Sequence, residues 1–414
     1  MKRIARWIVI RISWWLVKRL RTQADITIVA VAGSVGKTST KRAIAQVASQ
    51  RFSVAWQDGN YNDIVSVPLV FFGLSMPSLM NPLAWFRTFK KMHEQTKTYS
   101  NEVVVLELGT DAPGQIAEFS KYLQVDIGVV TPIAPEHMEF FGSIEAVASE
   151  ELSLQNFSKE IIIHDSNSTR FPDLVETGAK SYGLQNTSDS ALDVVGSKAV
   201  IKTAQKSYKF SSELLGIHQL ENLAAVCLVA EMLGVEHAKI QKGLAAIQAA
   251  PGRMQKLRGI YGATLIDDTY NASPEAVAAA LETLYSISSA KKIAVLGNMN
   301  ELGETSAKLH EEMGALCNPK HLKLVVTIGP DANEYLAKRA EANGCNVIRS
   351  DSPYDVGEIL KKEITAGTTV LLKGSQNGVF LEEAIKPILA DKKDASKLVR
   401  QSKSWLAKKQ KMFA

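Results

Sequence analysis

The stretch ITIVAVAGSVGKTSTKRAIAQVA, residues 26–48, restricts the possible folds more than any other part of the chain. A β-branched apolar run leads into a turn of small residues, then Lys37-Thr38, then a helical pattern, so it predicts a strand, a tight loop and a helix in succession. Such a loop binds phosphate. Glycines let backbone N–H groups converge on phosphate oxygens, the helix N-terminus favours negative charge, and the lysine neutralises the terminal phosphates. Thr38 would supply a hydroxyl to Mg²⁺. The strict pattern G-x-x-x-x-G-K-[ST] requires glycine where Val31 stands, so the loop takes the shorter form Gly33-Ser34-Val35-Gly36-Lys37-Thr38, followed by Ser39. A glycine-rich turn with an exposed lysine is the plainer alternative; the position between strand and helix favours phosphate.

Short apolar runs predict further strands over 103–108, 127–131, 160–164, 264–267, 292–296, 324–328 and 369–372, most of them followed by a helical pattern. The fold class is therefore α/β, with mostly parallel sheets covered by helices on both faces. With 414 residues, 46% of them hydrophobic, the chain can bury two cores. The helical pattern that breaks at Ala249-Ala250-Pro251-Gly252 divides a phosphate-loop domain, 23–250, from a Rossmann-like α/β domain, 251–392. Between 178 and 210 the Ser/Thr/Lys-rich alternation suggests a small antiparallel excursion.

The formal charge of +5 is modest, and much of the basic excess lies at the two ends, which argues against nucleic acid as a partner. Cys227, Cys317 and Cys345 are far apart and imply neither a zinc site nor a disulfide framework. Residues 1–22, MKRIARWIVIRISWWLVKRLRT, are basic and tryptophan-rich, too short and charged to span a bilayer, and not followed by a secretory cleavage site. They predict a helix that either lies in a membrane interface or docks on protein, its own or a partner's. The basic tail, 393–414, predicts a solvated amphipathic helix packed on a domain.

Open α/β sheets place ligands at the carboxyl ends of their strands. Glu107 ends one such strand, before the turn-rich 110–114, and His137 follows another. With Thr38 they make a candidate hard-metal site.

At these residues the chain resembles the Mur ligases, through an ordered series of motifs between residues 26 and 388. After GSVGKTST come GNYND at 59–63, LELGTDAPGQI from Leu106, PEHMEFFGS from Pro135 and GIHQLENLAA from Gly216. The second half adds PGRM at Pro251, DDTYNASPEA from Asp267, GNMNELGE from Gly297 and LLKGS ending at Ser375. The resemblance implies ATP-dependent amide synthesis through an acyl phosphate, with ATP and Mg²⁺ required. It implies that Lys37, Glu107, His137 and Arg253 are catalytic. The loop residues Gly33 to Ser39, with Asn222, Arg253 and Asp268, would hold nucleotide, the last two from the second domain, which implies closure of the two domains. Asn60, Asn62, Asp63, Lys373 and Ser375 would contact substrate, and Thr38, Glu107 and His137 would bind metal.

Many family members carry a CO₂-carbamylated lysine as a further metal ligand. Counted from His137, that position is Glu151, whose carboxylate could serve directly, with Glu150 the alternative if the register slips by one. Family members acting on UDP-muramyl peptides normally begin with a uridine-binding domain, which is expected to be absent here. The basic N-terminal segment and the stretch around Trp85, Phe86, Arg87, Lys90 and Lys91 are the candidates for replacement contacts. Gln376 stands where similar sequences often have arginine.

The substrates implied are a nucleotide-linked muramyl tripeptide and a dipeptide such as D-Ala-D-Ala or another amino-acid amine. The enzyme would be a cytoplasmic monomer, with peripheral membrane contact through 1–22 as an option. A folylpolyglutamate-type ligase and a non-ligating, membrane-tethered P-loop protein are the alternatives.

Overall fold

The computed structural model describes residues 2–59, 61–195 and 198–413, and divides into two compact units. The first comprises 1–133, 140–212 and 220–247, and the second 134–139, 213–219 and 248–414.

The first unit is built on a nine-stranded sheet. Its strands are β1 (Thr27–Ala32), β2 (Val54–Ala55), β3 (Val103–Glu107), β4 (Val125–Val130), β5 (Ser158–His164), β6 (Lys180–Gly183), β7 (Ser190–Val195), β8 (Lys198–Thr203) and β9 (Ser207–Ser211). Their order is β2-β3-β1-β4-β5-β6-β7-β8-β9, parallel through β7 and antiparallel across β7, β8 and β9. The predicted excursion is thus an extension of the same sheet, antiparallel only beyond β7. Because β1 lies between β3 and β4, the chain leaves it at a switch point in strand order, where open sheets form a ligand crevice.

The second unit holds a six-stranded sheet of β10 (Gln255–Arg258), β11 (Thr264–Asp268), β12 (Lys291–Gly297), β13 (Leu324–Ile328), β14 (Val347–Ser350) and β15 (Thr368–Lys373). The order is β10-β11-β15-β12-β13-β14, with only β10 antiparallel to its neighbour. Alternate residues feed two cores. Leu265, Val295, Val326 and Leu372 pack on one face, while Ile266, Ala294, Val325 and Leu371 pack on the other. Both faces are covered, which explains why these strands read as continuous apolar runs rather than as alternation.

The N-terminal helix, Lys2–Gln23, buries Val9, Ser13, Trp14, Leu16, Val17 and Leu20 against the first unit. Trp14 donates its indole N–H to Ile64 O at 2.9 Å and stacks on Tyr122 with ring centroids 5.3 Å apart. Among the described residues, no helix is long and apolar enough to cross a membrane.

At the other end, the helix Lys403–Met412 is more than a solvated amphipathic element. Lys409 is fully buried, with its ammonium 2.7 Å from both Glu382 and Glu383, and Arg400 pairs with Glu382 at 2.7 Å. The tail is anchored by charge carried into the core, a role that its basic composition does not reveal. All three cysteines are free and buried.

Candidate active site

Val31, where the strict loop pattern wants glycine, is the penultimate residue of β1 and pairs with Glu107 and Val129 on either side. Val31 is thus strand, and the loop begins only after Ala32. Gly33 (φ 115°) and Gly36 (φ 92°) are left-handed, and a Cβ at either would collide, with Thr131 and with the Asn222 side chain respectively.

The amides of this loop differ from the simple expectation. Gly33 N–H donates to Glu151 Oε2 at 2.7 Å, and the N–H groups of Ser34 and Val35 both donate to Pro132 O, at 3.1 and 3.0 Å. In this structure the first three loop amides therefore serve the protein itself. The start of the helix Lys37–Ala48 differs: its first internal bond runs from Thr40 N–H to Gly36 O. The preceding N–H groups, at Lys37, Thr38 and Ser39, lie at the positively polarised end.

Thr38 Oγ1 donates to Glu107 Oε1 at 3.2 Å, so two hard oxygens meet where the phosphate loop and the end of β3 come together. That donor set fits Mg²⁺. The other carboxylate oxygen of Glu107 is 3.1 Å from the buried ammonium of Lys41. Sequence reasoning missed Lys41. Its signal was present, because a lysine four residues after Lys37 lies on the same helical face.

Glu150 and Glu151 sit side by side on the helix Ile144–Leu152 and diverge completely. Glu151 is wholly buried, faces the phosphate loop and lies 3.7 Å from Lys37 Nζ, which itself turns back to Gly33 O and Ser34 O. Glu150 accepts from Gly114 and Ile116 N–H, both at 2.6 Å, at the start of the helix Gln115–Phe119. Glu151→Gln should therefore lower turnover roughly ten-fold or more, because it removes a negative charge 3.7 Å from the loop lysine while keeping its shape. Glu150→Gln should cost about 1 kcal/mol of stability and leave kcat nearly unchanged. Steady-state kinetics and thermal unfolding of the pair check this; the reverse pattern would move the functional carboxylate to Glu150.

Asn222 lies behind the loop, beside Gly36, and accepts from Tyr182 OH at 3.2 Å. Next to it, His164 packs edge-on against Tyr182 and places Nε2 3.1 Å from Glu221, a polar group for which the sequence carries no local motif. Asn62 offers its backbone O to Gly109 N–H at 2.9 Å. Asp63 accepts from Val65 and Ser66 N–H, ahead of the helix Val67–Phe71. Asn60 lies outside the described residues.

The remaining candidates belong to the second unit, His137 among them. His137 adopts φ 51° and places Nδ1 2.7 Å from Glu301, a contact that holds the Glu301 carboxyl below its ordinary value. Arg253 lays its guanidinium 4.2 Å over the Tyr270 ring. Asp268 and Lys373, predicted to bind different ligands, pair with each other at 2.6 Å, and Lys373 also donates to Asn271 O. Ser375 accepts from Asn300 N–H at 2.9 Å and donates to Ala272 O. Lys373 and Ser375 are buried, and their polar atoms tie the loops after β11, β12 and β15 together. These contacts brace the three loops from within.

Asp267 precedes Asp268 at the end of β11 and is fully buried; the loss of hydration pushes its carboxyl up to about 6. A raised carboxyl favours the folded state below its unfolded pKa, and that contribution is lost as pH rises from about 4 to about 6. At roughly 1.4 kcal/mol per unit, it amounts to on the order of 3 kcal/mol. Asp267→Asn should flatten the dependence of unfolding free energy on pH across this window, and an unchanged slope would refute the assignment.

Residues 31–230 match the Mur ligase middle domain and 252–376 the glutamate ligase domain of Mur ligases. The chain belongs to the Mur ligase family, and is an ATP-dependent ligase that uses Mg²⁺. It is 28% identical over 385 residues to the UDP-N-acetylmuramoyl-tripeptide–D-alanyl-D-alanine ligase of Bacillus subtilis, covering 90% of this chain and 78% of that one. The enzyme of the same name from Rickettsia prowazekii is 31% identical over 314 residues, 72% of this chain and 64% of the relative. Among solved structures, it is similar to the MurF ligase of Thermotoga maritima in complex with ADP. The two are 26% identical with a TM-score of 0.73, over 92% of this chain and 83% of that one.

Proposed function

We propose that this ligase joins D-alanyl-D-alanine to the free carboxylate of a nucleotide-linked muramyl tripeptide, as a monomer on the cytoplasmic side where ATP is available. The observation that carries the chemistry is the convergence of Thr38, Glu107, Lys37 and Glu151 on one phosphate loop. The relatives of MurF type supply the choice of substrates.

A carboxylate oxygen of the tripeptide attacks the γ-phosphorus of ATP, the bond to the β,γ-bridging oxygen breaks, and ADP leaves an acyl phosphate. The dipeptide amine then attacks the acyl carbon, loses a proton and expels inorganic phosphate. Lys37 and the helix N-terminus offset charge on the transferring phosphoryl group. Mg²⁺, when held by Thr38 and Glu107, supplies further neutralisation of the phosphate oxygens. Glu151 holds Gly33 N–H and keeps Lys37 within the loop. In the second unit, Arg253 is proposed to act on the nucleotide, with Tyr270 fixing its plane. The Asp268–Lys373 pair and Ser375 hold the loop that carries Tyr270.

The test is phosphate release from ATP across a panel of carboxylates and amines. Release should require UDP-muramyl tripeptide and D-Ala-D-Ala together, with the pentapeptide product seen by mass spectrometry. Turnover on pteroylglutamate with glutamate instead would replace the substrate assignment, and ATP hydrolysis without any amide product would overturn the ligase reading.

A further inference from the structure

The N-terminal helix has two faces, and only one of them is satisfied by the protein. Val9, Ser13, Leu16, Val17 and Leu20 point inward, with Trp14 clamped between Tyr122 and the Ile64 carbonyl. The opposite stripe consists of Ile4, Trp7, Arg11, Trp15 and Lys18, at successive steps of three and four, with Ile8 beside it. Trp7 is 57% and Trp15 55% exposed, values unusual for side chains of this size on a helix that otherwise packs well. Arg11 lies over the Trp7 ring at 4.9 Å and Arg19 over Trp15 at 5.8 Å, so each large ring carries a guanidinium with it.

The helix contains no acidic residue. The neighbouring helix Pro82–Gln95 packs against it and repeats the pattern, exposing Leu83, Phe86, Arg87 and Lys90 at helical spacing; Glu94, paired with Lys90, is its one acidic member. A face made for water would be polar throughout, and one made for a second protein would be depleted of lysine. Tryptophan and isoleucine alternating with uncompensated Arg and Lys suit an interface that is apolar below and negatively charged above.

We propose that this outer stripe binds the surface of an anionic lipid bilayer, with the helix lying in the interface and the ligase held beside it. The helix does not cross the bilayer. Its inner face stays on the protein, so binding needs no unfolding of the first unit, and the proposal stands whichever amine the ligase uses.

The test is co-sedimentation of the full chain with phosphatidylcholine vesicles, with or without 30% phosphatidylglycerol, using Trp7→Ser/Trp15→Ser and Arg11→Glu/Lys18→Glu variants. Wild type should bind the anionic vesicles, bind neutral ones at least roughly five-fold less, and be largely released at 0.5 M NaCl. Both variants should lose roughly ten-fold in bound fraction while keeping the wild-type circular dichroism and thermal unfolding midpoint. Brominated lipid should quench wild-type fluorescence, and that of the Trp7/Trp15 variant far less. Equal binding to neutral vesicles, unaltered binding of the variants, or no binding by wild type would overturn the proposal. Self-association without lipid that both variants abolish would assign the stripe to a second copy of the chain.

Discussion

Lys37→Ala is expected to reduce turnover by at least about 10²- to 10³-fold, the range seen when a fixed group opposite developing charge is removed. Lys37 contacts the Gly33 and Ser34 carbonyls and lies 3.7 Å from Glu151, which holds the ammonium inside the loop before any nucleotide arrives. The nearest alternative cation, Lys41, is buried against Glu107 and cannot replace it without abandoning that carboxylate. Nucleotide affinity should fall much less than kcat, since the helix N-terminus is untouched. Phosphate release together with calorimetric titration of ADP separates the two quantities. Activity within a few-fold of wild type would remove the phosphate-loop chemistry altogether.

Lys409→Ala should destabilise the second unit by about 3 kcal/mol, because it opens a buried ion cluster and leaves Glu382 with Arg400 alone and Glu383 with Lys386 alone. Glu382 has no exposed surface and Glu383 very little, and both lose a contact of 2.7 Å. The effect should reach the candidate site. Arg400, which shares Glu382, also donates to the Thr269 and Tyr270 carbonyls in the loop that follows Asp268. Hydrogen exchange of the β11 and β15 amides reads this unit alone, and near-native protection would show that the tail contributes no stability there. Lys409→Met should recover part of the loss, since an apolar side chain fills the space while Glu382 keeps Arg400 and Glu383 keeps Lys386.

Elements whose cause is local were legible from the residues. The strands at 264–267, 292–296 and 369–372 were found within two residues of their ends, because a strand covered on both faces is an apolar run bounded by polar turns. The phosphate loop was legible for the same reason: a glycine that must be left-handed and a lysine at a helix start are properties of a few consecutive residues. Glu107 could be found as the polar end of such a run. The division of labour between Glu150 and Glu151 could only be narrowed to two neighbours, since one residue along a helix turns the side chain by about 100° and only the packed partner shows which direction matters.

What the tertiary structure alone decided was the fate of buried charge and the company of distant segments. Nothing near Lys41, Lys373 or Lys409 in the chain says that each ammonium is buried, because their carboxylate partners lie 66, 105 and 26 or 27 residues away. His137 follows a strand of the first sheet yet belongs with the second unit, where Glu301 meets it. The sequence determined which segments form strands, helices and the loop, because backbone sterics and apolar periodicity act over a few residues. Which charged side chains face one another depends on long-range packing, where a desolvated ion is tolerated only if the fold brings a partner within reach.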